Sequence, residues 1–161
     1  MKVYHIIKND LMPPVGNIIQ PKTYNLNNMR PKKRQIEQEL ESIRNIHFSD
    51  FPSRLKCIFV CYDMEDVEFW AIQKYDICGG EFNVLIIETS KPVFWFSAES
   101  YNMYFNGQRN DLHQACIEFW ESNSKTKMNE LVDREGLTSG EATIIAVRRA
   151  MISRGKGIQL L

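Results

Sequence analysis

The chain has no run approaching the ~20 consecutive apolar residues that a membrane-spanning helix requires, so no membrane partner is expected. Its opening residues, Met1-Lys2-Val3-Tyr4-His5, lack the basic-then-apolar layout of a secretory leader, and a cytoplasmic location is expected. Net charge is missing too: 20 Lys and Arg balance 20 Asp and Glu, so no global field draws the protein to nucleic acid or to an anionic surface. Neither a GxGxxG nor a Walker-type loop is present, which removes the usual signs of a doubly wound nucleotide-binding sheet. A Gly-x-Ser-x-Gly elbow is absent as well, and with it the common hydrolase signature. There are only 4 cysteines and 3 histidines, and none of His5, His47 and His113 stands at finger-like spacing from a cysteine pair, so no metal is expected. Cys57, Cys61, Cys78 and Cys116 read as reduced, buried thiols.

What is present describes one globular unit, residues 1–161, with 43% hydrophobic and 25% charged residues. A chain of this size buries roughly 70% of its unfolded surface. Strands are expected at 2–7, 55–61, 82–87, 93–96 and 142–147, with a further short one at 157–161, from β-branched and apolar runs between turn residues. Ile36, Leu40 and Ile43 mark a helix from Pro31 to about Ile46. Val67, Trp70 and Ala71 mark another from Asp63 to about Lys74. Leu112, Ala115, Cys116, Phe119 and Trp120 form an apolar stripe over Asp111 to Glu121, which the polar Ser122 to Lys127 is expected to end. Residues 21–29 and the stretch after Glu130 read as irregular. There is no internal repeat, and strands do not alternate regularly with helices, so the expected class is α+β with mixed sheets and a few flanking helices.

Three short pieces carry the chemistry. Val3-Tyr4-His5-Ile6-Ile7 delivers a histidine from a strand. Ile58-Phe59-Val60-Cys61-Tyr62-Asp63 runs on to Trp70, a strand end followed by a helix that carries a second aromatic. Met128-Asn129-Glu130-Leu131-Val132 reads as a strand start with a glutamate. Arg54, just before the middle strand, is suited to a bidentate grip on a pyrophosphate, or equally to pairing with a nearby acid. The Lys32-Lys33-Arg34 run is followed at once by Glu37, Glu39 and Glu41 and reads as a solvated helix face.

In this order the pieces resemble the His/aromatic/Glu pattern of the ADP-ribosyltransferase superfamily, which includes the diphtheria-like toxins and poly-ADP-ribose polymerases. The Phe-Pro-Ser-Arg and Tyr-His-Ile-Ile phrases are also similar to bacterial and phage members of unassigned function. The resemblance implies an ADP-ribosyltransferase-like fold of mixed sheets around a central cleft. NAD would be the substrate, ADP-ribose would pass to a protein or nucleic-acid acceptor, and nicotinamide would be released. It implies that His5 holds the distal ribose and that the Ile6 backbone clamps the nicotinamide amide. Phe59 and Trp70, at the family's spacing, would sandwich the nicotinamide, and Glu130 would orient the reacting ribose, with His5 and Glu130 as the catalytic pair. Two departures stand out: Ile6 replaces the usual glycine, and Val67 stands where the polymerases have a serine. Those departures leave a second reading open, a catalytically inactive relative that works as a binding or inhibitory module.

Overall fold

The computed structural model describes residues 1–8, 12–77, 79–153 and 155–161. In chain order its strands are β1 (Lys2–Ile7), β2 (Ile18–Ile19), β3 (Lys22–Thr23), β4 (Lys56–Val60), β5 (Glu81–Thr89), β6 (Phe94–Ser97), β7 (Arg134–Thr138), β8 (Ala142–Ser153) and β9 (Gly157–Leu160). The helices are α1 (Pro31–His47), α2 (Met64–Gln73), α3 (Glu99–Phe105) and α4 (Leu112–Lys125). Every strand pairing among the described residues is antiparallel. One sheet has the order β1-β5-β8-β2, with β9 also on β8; the other runs β3-β4-β7-β6. The α+β class expected from the sequence is observed, but among the described residues the sheets are antiparallel rather than mixed.

Among the described residues the two sheets meet at one bridge, beyond the end of β4. Tyr4 N–H donates to the Cys61 carbonyl at 3.0 Å, and Cys61 N–H donates back at 2.8 Å. Val3, Leu85, Ile87 and Ile144 from the first sheet pack against Ile58, Val60 and Trp95 from the second, filling the space between them. A larger apolar cluster lies under the helices, where Phe96, Phe119 and Trp120 are fully buried and Trp120 Nε1–H donates to the Leu40 carbonyl of α1 at 3.0 Å. These aromatic rings sit in edge and stacked contacts of the kind that add to area burial.

Local signals explain the helices that the sequence announced. Pro31 occupies the first turn of α1, where its missing N–H costs nothing. Asp63 caps α2, its carboxylate accepting from Asp66 N–H at 2.9 Å. The differences are equally physical. Helix α4 runs past Ser122 to Lys125, because Ser122 Oγ–H donates to the Phe119 carbonyl within the helix and accepts from Ser97 N–H at 2.9 Å. Within 21–29, a two-residue strand and a 3₁₀ turn at Leu26–Asn28 replace the expected irregular segment. Met128–Glu130 is a 3₁₀ turn rather than a strand start, and the expected loop after it is β7, a central strand of the second sheet. Gly136 makes β7 possible: a Cβ there would stand 2.5 Å from the Trp95 ring and 2.7 Å from Val60, so only a hydrogen fits. Cys57, Cys61 and Cys116 are free and buried as expected, while Cys78 lies outside the described residues.

Candidate functional site

The site is built around Arg54. Pro52 and Ser53 bring the chain into β4; Ser53 Oγ accepts from Leu55 N–H at 3.1 Å and donates to Glu41 at 2.8 Å, which fixes the entry. The Arg54 guanidinium then runs inward until only 5% of the residue is exposed. Its Nη2 and Nε donate to Glu37 of α1 at 2.9 and 3.1 Å, and its Nη1 donates to Glu135 of β7. Tyr101 of α3 completes the group, its hydroxyl donating to Glu135 at 3.2 Å. The rings of Phe59, Tyr101 and Phe119 lie about 5 Å from the guanidinium carbon. Burial works against the charge on Arg54, but Glu37 and its hydrogen bonds outweigh this and raise the pKa. Burial likewise pushes the Glu37 carboxyl up, and Arg54 more than reverses it, holding the group below the usual carboxylate range.

Beside this ionic group opens a cavity of about 130 Å³. Phe59 and Trp70 line it together with Tyr24 and Tyr101, and Glu37, Arg54 and Glu135 form its floor. Among the described residues Phe59 pairs edge-on with Tyr24 and Trp70 with Phe69, so the two cavity aromatics do not pair with each other. Trp70 is anchored from outside, its Nε1–H donating to the Arg134 carbonyl at 2.7 Å. Lys74, at the C-terminal end of α2, reaches in with its Nζ 3.1 Å from the centroid of the Phe59 ring. Desolvation, followed by the Arg54 and Lys33 charges, pulls its pKa from 10.5 to about 7. Among the described residues its ammonium has no hydrogen-bond or ion-pair partner.

The structure brings Arg54, Phe59 and Trp70 to one cavity. Ile6 is buried and lines a smaller adjoining pocket shared by Phe59, Trp70, Lys74 and Glu135. His5 does not line either space; it stands behind Phe59, its Nδ1 2.7 Å from the Phe59 carbonyl. Glu130 sits exposed in its 3₁₀ turn and lines neither. Glu135 is the carboxylate from this part of the chain that reaches the cavity, only 3% exposed although the sequence reads its stretch as irregular. Lys74 and Tyr101 were missed as well, and Glu37, read with its neighbours as a solvated helix face, is instead 5% exposed and paired with Arg54. Glu37 carries a faint signal, since it falls one residue after Ile36 on the apolar face of α1. Among the described residues no group of three or more His, Cys, Asp and Glu is gathered to hold a metal, and no helix is long and apolar enough to cross a membrane.

Burial and the Lys22 and Lys74 charges pull the His5 pKa from 6.5 to about 4, against the opposing pull of its bond to Phe59. Between these values the unfolded chain takes up a proton that the folded chain refuses, so stability is expected to fall as pH drops from 6.5 to 4. The expected loss through this half-buried ring is about 2 kcal/mol. Denaturant titrations of the wild type and His5→Gln across this range should give a visibly flatter pH dependence in the variant. Equal slopes would assign the acid sensitivity to the carboxylates instead.

The fold and the site together define an α+β domain in which the second sheet, through β4 and β7, and helices α1, α2 and α3 enclose an aromatic cavity floored by a buried ionic group. The chain belongs to the family described as protein of unknown function DUF2441, which matches residues 17–152. No curated protein matches it.

Proposed function

We propose that the cavity takes the nicotinamide end of NAD and that the protein is an ADP-ribosyltransferase with an ADP-ribosyltransferase-like fold, in which Glu135 rather than Glu130 is the carboxylate beside the reacting ribose. The observation that carries this reading is the meeting of Phe59, Trp70 and a buried glutamate in one cavity. The strand-to-helix spacing of the aromatic pair and the antiparallel β4–β7 pairing both serve it: Phe59 faces Leu137 across the ladder, which brings the β7 glutamate close to the ring. A cavity of roughly 150 Å³ holds one benzene. The 130 Å³ here is on the scale of one bare ring, with the ring's substituent and the remainder of the dinucleotide extending into the open mouth near Lys33.

In this mechanism the bond between the ribose C1′ and the pyridinium nitrogen breaks, and its electron pair stays on nicotinamide. Positive charge develops on the ribose, where a carboxylate in a partly desolvated site has its largest effect. Arg54 donates to Glu135 and aims it. A nucleophile on a protein or nucleic-acid acceptor then forms the new bond to C1′ and gives up its proton to solvent.

One observation favours a different reading, a binding module without chemistry: the Lys74 ammonium already covers the Phe59 face on which nicotinamide would stack. Calorimetric titration with NAD combined with chromatographic detection of free nicotinamide separates the two. Binding with release is expected; binding without release would favour the module, and neither would end both forms of the NAD reading.

A further inference from the structure

Among the five charged residues that line the cavity, Lys33, Arg54 and Lys74 are cationic and Glu37 and Glu135 are anionic. Both carboxylates accept from Arg54, through hydrogen bonds from three of its nitrogens, and neither pairs with Lys74. Lys33 is exposed at the mouth. Lys74 is thus the inward-reaching cation that no carboxylate of the site neutralises, resting on a ring face as the best partner in reach. An aromatic quadrupole substitutes poorly for an anion once the ammonium has lost its water. The cavity walls are flat and aromatic, and the enclosed space suits one ring.

We infer that the cavity selects a planar aromatic ring bearing a carboxylate, which displaces the Lys74 ammonium from the face of Phe59 and pairs with it. The ring then stacks where the cation stood, and its anionic substituent gains a charge-assisted contact that a neutral carboxamide cannot match. This rests on the reading that the site holds a pyridine-type ring and adds the identity of its substituent. The pyridinium ligand would carry an acid rather than an amide.

The test pairs rings that differ only in the substituent. Benzoate and nicotinate are titrated by calorimetry against benzamide and nicotinamide, on wild type, Lys74→Met and Lys74→Arg. The acids are expected to bind wild type at least tenfold tighter than the matching amides, since a hydrogen bond to a charged group is worth about that factor or more. Lys74→Met should erase the preference, and Lys74→Arg should keep most of it. Lys74→Met removes a desolvated charge and is expected to fold, which its melting curve verifies. Equal affinity for acid and amide, a preference that survives Lys74→Met, or no binding of any ring would each overturn the inference. Cleavage is read separately, on NAD and on the dinucleotide whose pyridinium carries a carboxylate in place of the amide: acid selectivity without cleavage of either sinks the enzyme reading alone, and cleavage without acid selectivity sinks this one alone.

Discussion

Replacing Arg54 by methionine is expected to lower the unfolding free energy by about 3–5 kcal/mol, the usual cost of removing one partner from a buried ionic group. The size of the loss follows from what stays behind. Glu37 and Glu135 are 5% and 3% exposed, and both depend on the same guanidinium. Without it two carboxylates face one another in a medium that solvates neither, and the surviving Tyr101 hydroxyl serves only one of them. At least one carboxylate must take a proton or drag water inward. Arg54→Lys should fall between, because an ammonium is a point donor and cannot fork between helix α1 and strand β7 as the guanidinium does. Joint replacement of Arg54, Glu37 and Glu135 by apolar residues is expected to recover most of the loss, since a well-packed apolar triad avoids the desolvation cost altogether. Urea unfolding of the three variants measures this directly. A loss below about 1 kcal/mol in Arg54→Met would mean that the ionic group is effectively hydrated.

This same ionic group shows where sequence reading stopped. Helix α2 and its Trp70 were legible because the information is local: a strand end, the Asp63 cap and the apolar face all fall within eleven residues or so of Phe59. Strand β7 was not. Arg134-Glu135-Gly136 puts two charges and a glycine where a buried strand should have apolar residues, and each is resolved only by a distant partner. Arg134 reaches Asp63 at 2.7 Å and Asp66 at 2.8 Å, Glu135 reaches Arg54, and Gly136 meets Trp95. Helix α3 has no capping side chain and no long apolar period; it is held by tertiary contacts, among them Ser100 Oγ–H to the Ala115 carbonyl at 2.7 Å and Asn102 to Asp133 at 3.0 Å. Helix existence was legible where propensity and periodicity agreed, whereas elements assembled by long-range polar pairing were invisible to both. The phrase around Glu130 was misleading for a related reason. It resembled a strand start, but the 3₁₀ turn there closes through the Glu130 N–H to the Lys127 carbonyl at 2.9 Å and leaves the side chain in solvent.

The choice between the two glutamates is therefore the sharpest functional question. If the protein cleaves NAD as proposed, Glu135→Gln is expected to reduce nicotinamide release by about 100-fold, the scale on which a single electrostatic partner of a developing charge acts. Glu130→Gln should stay within about twofold of wild type, because an exposed carboxylate outside the cavity is screened from the reacting atoms. The Gln variant keeps a carbonyl oxygen for the Arg54 donor, and Arg54 keeps its forked contact with Glu37, so the fold should persist at a modest stability cost. Rates must be compared at equal folded fraction, and NAD affinity measured alongside. If Glu135 acts on the transition state, its loss lowers turnover with little change in binding. If it only props Arg54 and the cavity floor, binding and turnover decline together. The reverse pattern, with Glu130→Gln inactive and Glu135→Gln active, would require the 3₁₀ turn at Met128–Glu130 to rearrange when ligand binds. That outcome would return the chemistry to the residue the resemblance first indicated, and leave Glu135 as part of the scaffold.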